Sequence, residues 1–287
     1  MSSHAVSLSA ELANAVRTNV TAALAEDIGS GDLTAHLIPE QATASAAVIC
    51  REKAILCGQA WFEACFHQID PSIKIHWYTR DGSCIGVDQM LCEIHGNARA
   101  LLTAERSALN FLQTLSATAT ITQRYSDAIS GSNTIVMDTR KTLPGLRLAQ
   151  KYAVLTGGGA NQRIGLYDGI LIKENHIAAA GGIAQVLAVA TQLAGGAPVQ
   201  IEVENIDELQ QALDAGASLI LLDNFSIDML SEAVRLSAGR AVLEASGNIN
   251  LDTIRSVAET GVQRISVGSL TKHIQAVDLS MRFEWAV

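Results

Sequence analysis

The 287-residue chain has no run of about 18 consecutive apolar residues, so no segment reads as a helix that spans a membrane. Its first twenty residues carry Glu11 and Arg17 and lack the unbroken apolar core of a secretion signal. Positive charge is also scarce overall: 20 Lys and Arg stand against 29 Asp and Glu, a formal net charge of −9. That balance argues against sequence-independent nucleic-acid binding, which depends on massed cations. The five cysteines (Cys50, Cys57, Cys65, Cys84, Cys92) are odd in number and contain no CxxC pair. Structural zinc and a disulfide framework are therefore poor readings, and a reducing cytoplasm is the expected compartment. No Gly-rich loop ends in Gly-Lys-Ser/Thr, and no GxGxxG follows a strand pattern, so loops for triphosphates or dinucleotides lose support.

What is present is globular. Hydrophobic residues make up 48% and charged residues 17%, a balance that excludes long disorder, and the length suits about two domains. The first 110 residues or so mix patterns. Leu8, Leu12, Val16, Val20 and Leu24 repeat every four residues, as on one face of a helix. Gly58–Ile69 reads as a second helix, among short strand-like runs at Ala46–Cys50, Ile73–Tyr78 and Gln89–Ile94. A sheet with helices on one face fits this texture. From about residue 134 the pattern is regular, with apolar runs at Thr134–Met137, Ile170–Ile172, Val199–Val203, Leu219–Leu222, Ala241–Leu243 and Arg264–Val267. Helical stretches at Ile183–Leu193, Ile206–Ala215, Ile227–Leu236 and Leu251–Glu259 separate the later runs. Such alternation means parallel strands with covered faces, in an open doubly wound sheet or a barrel. Polar groups at the run ends favour a barrel, where carboxyl ends converge on one mouth. Six visible strands fall short of eight, so a seventh is hidden or the barrel is incomplete.

Between Arg140 and Lys173 the chain holds Arg140, Lys141, Arg147, Lys151, Arg163 and Lys173 against Asp168 alone, a net of +5 inside an acidic protein. Concentrated cations beside strand ends make an anion site. Arginines there are suited to grip carboxylates or phosphates in bidentate fashion. Lys173 ends an apolar run, which argues against a merely solvated face. Gly157-Gly158-Gly159 permits a tight turn near an anion but is a weak signal alone.

In Ile201-Glu202-Val203-Glu204, alternation puts both glutamates on one face. An inward Glu202 needs a cation, Lys173 or Lys141. Glu204 and Asp223, at the ends of their strands, suit a sugar diol or Mg²⁺. Glu202 and Glu244 are balanced between structural ion pairs and function. Loops after the last barrel strands, at Ser246-Gly247-Asn248 and Gly268-Ser269, lie where this architecture holds phosphate. The space they surround calls for strongly anionic substrates, one of them a phosphorylated sugar.

These stretches resemble the quinolinate phosphoribosyltransferase family. The resemblance is carried by EDIGSGDLT (Glu26–Thr34), AERSALNFLQTLS (Ala104–Ser116), DTRKTLPGLR (Asp138–Arg147), KYAVLTGGGANQRIGLYDGILIKENH (Lys151–His176), IEVEN (Ile201–Asn205), LILLDNF (Leu219–Phe225), EASGNI (Glu244–Ile249) and ISVGSLT (Ile265–Thr271). It implies an α/β fold with two domains. One is an N-terminal α/β sandwich over residues 1–112, joined by residues 272–287. The other is an incomplete, six- or seven-stranded TIM-like barrel over residues 113–271. It further implies phosphoribosyl transfer from phosphoribosyl pyrophosphate to quinolinate with decarboxylation, in the presence of Mg²⁺. Quinolinate would be held by Arg140, Lys141, Arg163 and Lys173, with Thr139 and Gln162 beside them and Arg106 supplied across a homodimer interface. Whether dimers assemble into a hexamer of dimers is left open. Glu204 and Asp223 match the ribose and metal carboxylates, and residues 246–248 and 267–269 the phosphate loops. Lys141, Lys173, Glu204 and Asp223 are the expected catalytic set.

Departures from the family pattern are informative. Gln162-Arg163 stands where the family usually has His-Arg, and a glutamine donates a hydrogen bond but carries no charge. Gln162→His is therefore expected to lower KM for quinolinate. Ser107 and Ala117 replace the usual Thr and Gly, as packing adjustments. His176 is open between a site role and a structural one. Rival readings are a same-fold paralogue with another anionic substrate, like the protein associated with molybdate transport, and a catalytically idle anion-binding protein.

Overall fold

The computed structural model describes residues 9–285. In chain order its elements are α1 (Ala10–Ile28), β1 (Thr43–Cys50), β2 (Ala54–Ile55), α2 (Gln59–Ile69), β3 (Lys74–Trp77), β4 (Cys84–Ile85), β5 (Met90–Asn97) and α3 (Ala98–Ala128). There follow β6 (Ile135–Met137), α4 (Arg147–Thr156), β7 (Ile170–Ile172), α5 (Glu174–Ala180), α6 (Ile183–Leu193), β8 (Val199–Val203) and α7 (Ile206–Asp214). The last are β9 (Leu219–Asp223), α8 (Ile227–Ser237), β10 (Val242–Ser246), α9 (Ile254–Glu259), β11 (Arg264–Ser266), α10 (Ser269–Lys272) and β12 (Leu279–Trp285). The chain forms two compact units. The first takes the chain through Ile121, Leu143–Gly157 and the segment from His273 onward; the second takes Thr122–Thr142 and Gly158–Lys272.

In the first unit the antiparallel sheet runs β12-β1-β5-β3, with β2 and β4 paired separately. Alternation along β1 buries Ala44, Ala46, Val48 and Cys50. The four-residue repeat of α1 buries Val16, Val20 and Leu24 in the same core as Trp61, Phe62, Cys65 and Phe66 of α2. Leu8, which opens that repeat in the sequence, lies outside the described residues. Ser9 caps α1 by accepting the Leu12 N–H at 3.2 Å. Part of the Glu26–Thr34 motif is structural: Asp32 accepts the N–H groups of Thr34 and Ala35 at 3.0 Å and the Thr103 hydroxyl at 2.8 Å.

The division departs from the expected bounds in two places, at residues 113–121 and 143–157. Residues 143–157 were expected in the barrel, yet α4 buries Ala149 and Ala153 in the first unit's core. Tyr152 donates its hydroxyl to Asp81 at 2.8 Å and stacks at a tilt 5.6 Å from Trp61. The +5 stretch is therefore not one patch, because Arg147 and Lys151 belong to α4 and Lys151 is almost wholly buried.

The second unit is a six-stranded parallel sheet in the order β6-β11-β10-β9-β8-β7. Its helices are capped as the chain dictates: Asn205 accepts the Glu208 N–H at 2.9 Å, and Gly216 and Gly261 take φ of 82° and 92° just past α7 and α9. α9 starts three residues later than the apolar pattern suggests, since Asn250 Oδ1 accepts the N–H groups of Asp252 and Thr253 in an Asx turn. β6 and β7 are not paired with each other, and only a bridge from Met137 to Ala160 extends the β6 edge. The sheet is nevertheless curled. From the segment beside β6, Gln162 Nε2 reaches Gln200 Oε1 on β8 at 2.6 Å. Five strand spacings in a flat sheet would separate them by about 24 Å. The unit is an incomplete α/β barrel.

Candidate active site

Curling brings inward side chains into layers. Gln200 Nε2 donates to Glu244 Oε2 at 3.0 Å, and Ser266 Oγ donates to Glu244 Oε1 at 2.5 Å. Gln162 Oε1 in turn accepts the Arg163 N–H at 2.9 Å. Glu244 is 1% exposed, and Gln200, Ser266 and, at 3.5 Å, Gln162 reach it as neutral donors. Below this layer, at the first residues of β7, β9 and β11, lies a cavity of about 340 Å³ lined in part by Arg163, Asp168, Leu219 and Arg264.

Above the layer, at the carboxyl ends of the strands, lie charged groups. Lys173 Nζ donates to Glu202 Oε1 and Oε2 at 2.9 and 2.8 Å. The lysine is half-exposed, whereas the glutamate is 10% exposed. His176 Nδ1 accepts the Lys173 N–H at 2.9 Å, which pins the start of α5 and assigns that histidine a structural task. Thr139 Oγ1 accepts the Lys141 N–H at 3.0 Å, and Thr271 Oγ1 donates to Lys141 O at 2.8 Å. The Lys141 side chain lies over Gly268, where an added Cβ would meet its Cδ at 3.1 Å. The glycine thus lets a cation rest against the 267–269 loop. Val267 donates its N–H to Met137 O at 3.0 Å, and Ser269 Oγ lies 3.4 Å from the Tyr125 hydroxyl.

The carboxylates occupy neighbouring strands. Val203 and Leu222 are partners in the β8–β9 register, so the next residues, Glu204 and Asp223, stand about 5 Å apart at Cα. Glu204 is exposed, its N–H donated to Glu208 Oε2 at 2.8 Å. Asp223 Oδ2 accepts from Asn224 Nδ2 at 2.7 Å. Asp223 is also the register partner of Ser246, which carries it to the 246–248 loop. Among the described residues no group of three or more His, Cys, Asp or Glu is placed to hold a metal. Glu204 and Asp223, on neighbouring strand ends, are the carboxylates that would have to hold Mg²⁺, with waters and substrate phosphates as its other ligands.

The chain matches the family model described as quinolinate phosphoribosyl transferase, N-terminal domain, over residues 32–116, and the corresponding C-terminal domain over residues 118–282. The chain belongs to the quinolinate phosphoribosyl transferase family. A relative from Bacillus subtilis, named probable nicotinate-nucleotide pyrophosphorylase (carboxylating), is 39% identical over 89% of each chain. A chloroplastic nicotinate-nucleotide pyrophosphorylase (carboxylating) from Oryza sativa is 37% identical over 92% of this chain and 76% of that one. The solved nicotinate-nucleotide pyrophosphorylase of Francisella tularensis superposes with a TM-score of 0.92 at 47% identity, covering 95% of this chain and 97% of that one.

Within this family fold the basic residues named from the sequence lie on two levels. Lys141 and Lys173 sit at the carboxyl ends of β6 and β7, while Arg163 Nη1 donates to Gly169 O at 3.1 Å beside the lower cavity. Arg140 is near: burial, and then the Arg140 charge, lowers the pKa of Arg163, with Asp168 opposing them. Gln162 is committed to the polar layer through both ends of its amide. Arg106 lies on α3 in the first unit, exposed, 3.9 Å from Glu105. Ser107 and Ala117 are buried on the same helix. Sequence reasoning placed Asn224 beside Asp223 at a strand end but gave it no role in the site. Its signal was an asparagine just past a strand, and it reads equally well as an ordinary turn residue.

Proposed function

We propose that this chain condenses quinolinate with phosphoribosyl pyrophosphate, giving nicotinate mononucleotide, pyrophosphate and carbon dioxide in NAD biosynthesis. Family membership over nearly the whole chain carries the reading, because its relatives are named for this activity. The strand-end chemistry supports it. Quinolinate is a dianion, and Lys141 and Lys173 supply strand-end cations for its carboxylates; Arg163, bonded to Gly169 O beside the lower cavity, and the nearby Arg140 join them in this reading only by turning toward the strand ends. The Lys173–Glu202 pair holds one ammonium in a fixed direction before substrate arrives.

In the reaction the bond from the anomeric carbon to pyrophosphate breaks and one to the pyridine nitrogen forms. The ribose passes through an oxocarbenium-like state, which Glu204 and Asp223 stabilise electrostatically, and orientation is the main task of the site. Magnesium, when bound, supplies charge neutralisation of the leaving pyrophosphate. The ring C–CO₂⁻ bond then breaks on the nucleotide, its electron pair drawn toward the cationic ring, and that carbon takes up a proton. Residues 246–248 and 267–269 hold phosphate in this reading, and Arg106 of a second copy completes each site in a homodimer. A reducing cytoplasm is the proposed compartment, supported by five free cysteines, four of them buried.

Loss of quinolinate absorbance that requires both phosphoribosyl pyrophosphate and Mg²⁺ is the expected result. Binding of quinolinate without turnover would overturn the reading in favour of an idle anion-binding protein. A carboxylated nucleotide trapped in a single turnover would support the order of steps, and carbon dioxide released without phosphoribosyl pyrophosphate would refute it.

A further inference from the structure

Asn224 has an unusual set of connections for a residue in the loop after β9. Its φ is 55°, in the left-handed region that asparagine visits more readily than most side chains. From there its N–H donates to Ser246 O at 2.9 Å, and its Nδ2 donates to Asp223 Oδ2 at 2.7 Å. Its Oδ1 accepts from Asn248 Nδ2 at 3.3 Å. Asn248 is itself left-handed, at φ 49°. Between the two asparagine contacts lies Gly247, at φ 105°, where an added Cβ would run into the Oδ1, Cγ and N atoms of Asn224. No residue with a side chain fits there, for backbone and for space. One amide thus ties the strand-end carboxylate to the 246–248 loop. Among the described residues the other Asp223 oxygen, Oδ1, is left without a partner.

We propose that Asn224 is a positioning residue for phosphoribosyl pyrophosphate: it turns the Asp223 carboxylate so that Oδ1 faces the ribose, and it holds the 246–248 loop at the distance the phosphate requires. The inference rests on the functional reading above, which assigns Asp223 and that loop to this substrate. It adds a residue outside the set identified from the sequence, and it explains why glycine follows Ser246.

Two variants separate side chain from backbone. Asn224→Asp keeps the shape, the tolerance of positive φ and an acceptor for Asn248, but sets a carboxylate against Asp223. Asn224→Gly keeps the backbone conformation and deletes the amide. Both are expected to raise KM for phosphoribosyl pyrophosphate by about tenfold or more, the scale of a lost charge-assisted hydrogen bond. KM for quinolinate should stay within about threefold, and the thermal midpoint within about 5 °C, because no core contact is removed. In an Asp223→Asn background, Asn224→Gly should add less than it costs alone, because its contact with Asp223 is already lost and only its hold on the 246–248 loop remains to be removed. Calorimetric titration with phosphoribosyl pyrophosphate should show the same loss. An active wild type with an unchanged KM for phosphoribosyl pyrophosphate in Asn224→Asp overturns the proposal, as does an equal rise for both substrates or full additivity with Asp223→Asn. A wild type that neither turns over nor binds phosphoribosyl pyrophosphate overturns the functional reading instead, and the proposal with it.

Discussion

Lys173 and Glu202 show how stability and function separate at a single pair. Removing the lysine leaves a carboxylate that is 10% exposed without its cation, while the lysine itself is half in water. The cost should fall between those of exposed and buried pairs, about 1–2 kcal/mol, read from urea unfolding of Lys173→Ala. Lys173→Met with Glu202→Gln removes both charges and should recover most of that stability while remaining inactive. Recovery of activity would mean that the cation does not serve quinolinate. The need for this pair was legible in the sequence, since alternation turned Glu202 inward, but the choice between Lys173 and Lys141 as its cation was open until the structure placed Lys173 there. The setting of Gln162 was not legible, because its partners Gln200 and Glu244, and the Ser266 that bonds Glu244 in turn, come from three distant strands. A histidine there keeps one N–H for Gln200 and adds charge near Arg163. The expected fall in KM for quinolinate with Gln162→His therefore has a structural condition, that the layer survives. An unchanged or raised KM would show that the layer's hydrogen bonds, rather than charge, set the affinity.

The helix α2 begins with a cap supplied from far along the chain. Asp81 accepts the N–H of Gly58 at 3.1 Å and of Gln59 at 3.3 Å, together with the Tyr152 hydroxyl. Burial pushes its carboxyl above the ordinary aspartate range, although those donors pull the other way. A raised value in the folded state means that folding favours the proton. The stabilisation is complete below the unfolded value near pH 4 and is lost as pH rises through the folded value. Relative to Asp81→Asn, which cannot ionise, the wild type should lose unfolding free energy as pH rises from about 4 through the raised folded value. Urea titrations at three pH values would check this, and a wild type that gains stability relative to Asp81→Asn as pH rises would refute it. At this scale most elements were readable, since apolar periodicity marks helices and strands wherever one face is buried. Missed, with the short α5, β2 and β4 and the terminal β12, was α4. Its buried Ala149 and Ala153 announce an inward face without saying which core it meets, and its cations drew it toward the anion site.

Strand order and curl are properties of the whole molecule, and periodicity does not encode them. A run such as Leu219–Leu222 reads as buried on both faces whatever its neighbours are, and only the long-range register places it between β8 and β10. Assembly poses the same kind of question. Arg106 lies in the first unit, exposed, while the strand-end cations and carboxylates lie in the second. If Arg106 of one copy completes the site of another, two defects in different copies must compensate. Arg106→Ala and Lys173→Ala proteins, each inactive alone, are unfolded, mixed in equal amounts and refolded together. Random pairing makes half of the dimers mixed. Each mixed dimer has one site built from the intact Lys173 of one copy and the intact Arg106 of the other, and one site carrying both defects. Activity should return to about a quarter of the wild-type level, a value set by two-fold symmetry alone. If each site drew both residues from one chain, every mixed dimer would contain two damaged sites and activity would stay at the level of the parents. Sedimentation of the mixture, run beside the assay, ensures that a silent result comes from dimers and not from monomers that failed to pair.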